Sequence, residues 1–226
     1  MRQSAVVLAR VLGFIEIADL ISGGKMSVTE LVRKLSERYS FEKFPRTFEE
    51  IDLGKGIEFI EGASGSGPIR KFIIYDTLLV LETRISTAVS KSLLEEMLLW
   101  GAKELGLNYK PNSIKRYGYI SDVTFYSEAP LLDLPPAVSK IAARASKELS
   151  DIWEEPIKYE PIGFSVGHDP SDRKYGIAPF TISHRSETRF SENKYFSEAP
   201  LPTDTHWEML EQYEKDVLSV RKGGLV

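Results

Sequence analysis

The chain has 226 residues, 42% of them hydrophobic and 27% charged, a balance that suits one large or two small folded domains and argues against disorder. A formal net charge of -4 and a pI of about 5.6 do not supply the positive field of a phosphate-clamping protein, so nucleic acid is not the expected partner. The absence of cysteine removes disulfides, thiolate zinc sites and thiol nucleophiles, and it fits a reducing compartment such as the cytoplasm.

The first segment, MRQSAVVLARVLGFIEIADLI, spreads Val7, Leu8, Val11, Leu12, Ile15, Ala18 and Leu20 over most of a helical wheel, leaving Arg10, Glu16 and Asp19 as a narrow polar stripe. Those charges, with no small-residue cleavage site after them, do not fit a signal peptide, and the run is too short and too charged to cross a bilayer. A helix apolar on more than one side predicts burial against a second subunit. A strand through FIEIADL is the alternative.

Gly23 and Gly24 close this element, and SVTE opens the next, with Ser27 as N-cap and Glu30 three residues later. Val28, Leu31, Val32, Leu35 and Tyr39 give the second helix one apolar face before Pro45. Glu30, Glu37, Arg33, Lys34 and Arg38 mix both signs, as a solvated face does and a DNA-recognition helix does not. GIEFIEG, the ASGSG turn, IRKFIIYD and TLLVLETR then read as an antiparallel meander. ASGSG lacks the GKS or GKT ending and the following helix that a phosphate loop needs.

Ser86 or Thr87 caps a long helix to about Gly106, burying Val89, Leu93, Leu94, Met97, Leu98, Gly101 and Leu105. Lys110, Lys115 and Arg116 beside Tyr117 and Tyr119 form the one basic and aromatic patch that resembles a single-strand binding surface, and such residues are routine where a loop enters a strand. YGYISDVTFY reads as a strand, Pro135 and Pro136 open a helix to about Trp153, and YEPIGFSVG and IAPFTISH read as two strands. A last helix runs from Thr203–Thr205 to about Lys222. The order predicts an α+β fold, a mainly antiparallel sheet with helices packed on one face, plus an N-terminal helical segment. Residues 1–52 are expected as a helical lobe and 53–226 as an α+β domain.

The histidines, His168, His184 and His206, all fall in the last third of the chain. A hairpin turning near Asp172 makes paired residue numbers sum to about 344, setting His184 opposite Glu160 and His168 opposite Gly176. His168 and His184 are then too far apart for one metal, and GHDPSDR reads as an ordinary turn around Asp169 and Pro170, so no metal and no cofactor is expected. His184 with Glu160, Glu187 and Arg185 is the best polar cluster for a general base, in a chain without HExxH, DxD or Walker patterns.

FYSEAPL ends at Leu131 and YFSEAPL at Leu201, an internal repeat that reads as two strand-to-helix junctions stopped by Pro130 and Pro200. Their loops would expose Glu128 and Glu198 as a paired acidic contact surface. The leading expectation is a non-enzymatic cytoplasmic interaction protein, self-associating into a homo-oligomer through its N-terminal helix and these loops. The alternative is a small hydrolase or nucleotide-processing enzyme using His184, Glu160 and Glu187.

Overall fold

The computed structural model describes residues 1–21, 27–133, 135–169, 171 and 176–223. Its elements are β1 (Arg2–Phe14), α1 (Ile17–Ile21), α2 (Val28–Tyr39), β2 (Ile57–Ser64), β3 (Gly67–Ile74), β4 (Leu78–Thr83) and α3 (Thr87–Leu105), then β5 (Arg116–Tyr126), α4 (Pro136–Trp153), β6 (Gly163–Val166), β7 (Phe180–His184), β8 (Lys194–Ala199) and α5 (Thr203–Gly223). The strands form one antiparallel sheet in the order β2-β3-β4-β1-β5-β8-β7-β6, which makes the fold α+β. A run of strand, helical segment, three strands and helix occurs twice, with α1 and α2 as the helical segment from β1 to α3 and α4 as that from β5 to α5, and in each run the first strand lies beside the fourth. The proposed stop at Gly23 and Gly24 lies outside the described residues, as do Pro170 and Asp172 of the expected turn.

The N-terminal segment is a strand rather than a helix. β1 pairs with β4 from Ala9↔Thr83 to Phe14↔Leu78. Ala9 and Val11 are buried on one face, and Arg10 on the other reaches Glu82. Leu8 and Leu12 on one face and Val7, Ala9 and Val11 on the other make β1 apolar on both sides, so its residues fill a helical wheel as readily as a pleat, and β-branched Val6, Val7 and Val11 decide for the pleat. FIEIADL is not a strand either, because β1 ends at Phe14 and Ile17–Ile21 is a short helix. The N-terminal assembly helix therefore does not exist.

The chain forms two compact units. One consists of Val6–Ser121 and Pro200–His206. Its core takes Val11 from β1, Phe59 from β2, Phe72 from β3 and Leu81 from β4, and covers them with Leu31, Val32, Leu35 and Tyr39 of α2 and Leu93, Leu94, Met97 and Leu98 of α3. Caps set both helices: Ser27 Oγ accepts from the Glu30 amide at 3.2 Å, and Ser86 Oγ from the Val89 amide at 3.2 Å. Gly106 ends α3 at φ 70°, where a side chain would be strained. At Gly62 an added Cβ would lie 2.5 Å from the Phe41 ring and 2.9 Å from the Tyr39 carbonyl, so the close approach of these segments requires glycine. Glu82, 2% exposed, is held by Arg10 at 2.6 Å and Arg70 at 2.8 Å, the pairing that a buried carboxylate needs.

The other unit consists of Met1–Ala5, Asp122–Ala199 and Trp207–Val226. Val123, Phe125, Ile182, Tyr195 and Leu210 are its buried centre, with the Phe125 ring edge-on to Trp207 at 6.2 Å and tilted to Tyr195 at 5.7 Å. Tyr213 of α5 packs on Phe164 of β6 and donates its hydroxyl to the Leu131 carbonyl at 2.8 Å. Two strands of this unit are shorter than their sequence suggests: β6 keeps four residues and β7 five.

Candidate functional site

The β6–β7 ladder runs from Gly163↔Ser183 to Val166↔Phe180, so paired numbers sum to 346 rather than 344. The His184 amide accordingly donates to the Ile162 carbonyl at 2.8 Å, and Glu160 is not directly opposite His184. A slip of two residues preserves the face of every side chain. Glu160 and His184 thus still line one pocket of about 260 Å³ within the second unit. Glu187 is exposed in the β7–β8 connection at φ 63° and does not line it, so the structure assembles two of the three expected residues.

Each wall of this pocket has a different origin. His184 ends β7 and pairs with Tyr195 of β8. Asp133 comes from the loop after β5, Ser139 from the first turn of α4, and Arg221 from the last turn of α5. Arg221 and Asp133 form an ion pair at 2.7 Å, and Glu160 pairs with Lys158. The His184 Nε2–H donates to the Arg189 carbonyl at 3.2 Å. Phe190 stands edge-on to the imidazole at 4.6 Å. Burial raises the Tyr195 hydroxyl pKa, while the Leu131 amide bond and Arg221 act against it. The polar groups lining the pocket can hydrogen-bond a small polar ligand. Among the described residues no three acidic or histidine side chains are grouped to hold a metal.

His168 is exposed beside the turn, where Asp169 accepts from the Ser171 amide at 2.8 Å and the Ser171 hydroxyl at 2.6 Å. His206, which no spacing singled out, is fully buried in the first turn of α5. Burial lowers its pKa from 6.5 to about 4, against a smaller upward pull from a backbone hydrogen bond at Ser121. Beside it, the Thr87 amide donates to Thr203 Oγ1 at 3.0 Å and the Thr203 amide to Thr87 Oγ1 at 2.8 Å, so the first residues of α3 and α5 satisfy each other's free amides.

The two SEAPL segments do different work. In the first, Ser127 and the Glu128 amide donate to Glu214 at 2.7 and 2.9 Å, and Glu214 also receives the Met1 amino group. Burial pushes the Glu214 pKa up, but those donors outweigh it and hold the carboxyl below its ordinary value. Glu128 itself is exposed after β5. In the second segment Ser197 and Glu198 lie inside β8, where Glu198 pairs with Thr181 and is half-buried, so it is not on a loop as the repeat suggests.

α4 presents the most open surface. Every residue of this helix is described, and none is buried. Ile141 and Ile152 are each 70% exposed and Trp153 66%. One flank is tethered: Ser146 Oγ accepts from the Tyr159 amide and Ser150 Oγ from the Ile157 amide, both at 2.8 Å, which lays the returning chain along the helix. These serines four residues apart leave the Val138, Ile141, Ala145 and Ile152 stripe on another side of the cylinder. The return segment adds exposed Tyr159 and Ile162, and β6 is the last strand of the sheet. Among the described residues no helix is long and apolar enough to cross a membrane. No protein-family model and no curated protein matches the chain.

Proposed function

We propose that the chain is a non-enzymatic, cytoplasmic interaction protein that self-associates, with α4 as its contact surface. The supporting observation is an 18-residue amphipathic helix none of whose residues is buried, with Ile141 and Ile152 of its apolar stripe each 70% exposed. α4 takes the role that sequence patterning gave to the N-terminus, since β1 spends its apolar residues inside the sheet. Glu128 is a further acidic contact on the surface, and Glu198 contributes less because β8 holds it. Light scattering on the full chain and on the Ile141→Asp/Ile152→Asp variant tests this reading. The parent is expected to be oligomeric and the variant monomeric with an unchanged circular dichroism spectrum. A monomeric parent, or a variant that assembles like it, refutes the reading.

A second reading is favoured by one observation, the placement of His184 and Glu160 on the same pocket: a small hydrolase or nucleotide-processing enzyme. Turnover of a nucleotide or ester that disappears in His184→Ala would establish it.

A further inference from the structure

The charges of α4 are segregated along its length. Its first twelve residues carry Lys140, Arg144 and Lys147 and no acid, whereas the stretch from Glu148 to Glu155 carries Glu148, Asp151, Glu154 and Glu155 and no base. This opposes the helix dipole, which favours acids in the first turn and bases in the last. Neither is present: the first turn has no acid and the last no base. The arrangement is therefore unfavourable for the helix alone and is not offset by burial, because no residue of α4 is buried. Within the helix only Arg144 and Glu148 approach, at 4.0 Å.

We infer that the occupant of this face is a second copy of the same chain, with the two α4 helices packed antiparallel about a two-fold axis. This rests on the reading of α4 as the self-association surface and adds the orientation of the two copies. An isologous contact must be self-complementary. A helix that is basic in its first half and acidic in its second meets that condition when antiparallel and fails it when parallel. With Ala145 at the crossing, where a small side chain allows close approach, Val138 lies against Ile152 of the second copy and Ile141 against Leu149. Arg144 then lies beside Glu148 of the second copy along the edge of the apolar seam, with Lys140 and Asp151 farther from it adding a longer-range attraction of the same sign. The antiparallel arrangement also sets each helix's dipole against the opposite dipole of its neighbour.

Two charge variants of the full chain test the orientation. Lys140→Glu/Arg144→Glu/Lys147→Glu makes α4 acidic throughout, and Glu148→Lys/Asp151→Lys/Glu154→Lys makes it basic throughout. Sedimentation should show each variant alone as a monomer, with at least a tenfold loss of self-affinity, and an equimolar mixture of the two as a dimer. Variants that each dimerise like the parent, or that fail to pair when mixed, overturn the antiparallel arrangement. If Ile141→Asp/Ile152→Asp abolishes assembly while the charge variants do not, α4 is still the self-association surface and only the antiparallel charge pairing is wrong. A monomeric parent overturns both. The parent's own dissociation provides a test that needs no variant: rising salt should weaken the dimer severalfold, and a dimer unchanged or tightened by salt contradicts attraction between the two halves.

Discussion

α2 and α4 hold the same place in the two runs of elements, each lying between the first and second strands of its run, and they meet opposite fates. α2 buries Leu31, Val32, Leu35 and Tyr39 against the sheet, begins with Glu30 and ends with Arg38, in agreement with the helix dipole. α4 buries nothing, begins with no acid and ends with no base. Both are amphipathic, so the pattern of apolar residues alone does not say which will find a core. Their charges do distinguish them: α2 has an acid in its first turn and a base in its last, in line with the dipole, and α4 has neither.

The largest expected difference comes from removing one apolar side chain from each. Leu35→Ala in α2 should cost roughly 2–5 kcal/mol of unfolding free energy, through lost burial and the cavity left behind. Ile152→Ala in α4, measured by urea unfolding of the dilute protein, should stay within about 0.5 kcal/mol of the parent. Equal costs would show that α4 has a core after all.

The next effect concerns α5, whose first turn is buried. His206 has a folded pKa of about 4 against 6.5 for an exposed ring. Between these values the unfolded chain binds the additional proton, so stability is full above pH 6.5 and falls as the pH drops toward 4. The loss is on the order of 3 kcal/mol. The lowered Glu214 carboxyl works in the same direction at lower pH, its contribution vanishing as that group is protonated. Unfolding measured across this range should show a flatter slope in His206→Gln. A parent and variant with the same slope would remove His206 as the titrating group.

Smaller effects sharpen the comparison on α4 itself. Ser150→Ala leaves the Ile157 amide without its acceptor and should cost about 1 kcal/mol, with faster exchange of that amide. Asp151→Lys in the dilute, monomeric protein should raise stability by about 0.3–0.5 kcal/mol, because it removes an acid from the last turn. A loss of stability on that change would show that Asp151 serves its own chain rather than a partner.

Local chemistry made much of this legible in the sequence. Ser27, Ser86 and Gly106 mark helix ends by groups that need no distant partner, and Pro135 and Pro136 mark the start of α4, so α2, α3 and α4 fall where their residues indicate. The β2–β3 hairpin turns at the ASGSG segment for the same reason. What failed depended on tertiary surroundings. β1 looks like a helix because its apolar residues occupy both faces of the strand, and β8 was visible only as the exit to a helix because KYFSEA is short and mixed in polarity. The two-residue error in the β6–β7 register did no harm to the pocket, since the face alternates with a period of two. Glu187 was misplaced because a turn, unlike a strand, does not carry that alternation onward. His206 had no periodic signal, and its burial follows from the meeting of α3 and α5 at Thr87 and Thr203.

Amide hydrogen exchange at low and high protein concentration tests the central contrast most directly. If α4 is an assembly surface, its amides from about Ile141 to Ile152 gain protection as concentration rises, while those of α2 keep the same protection throughout. Exchange in α4 that does not change with concentration, under conditions where α2 is fully protected, would contradict the account.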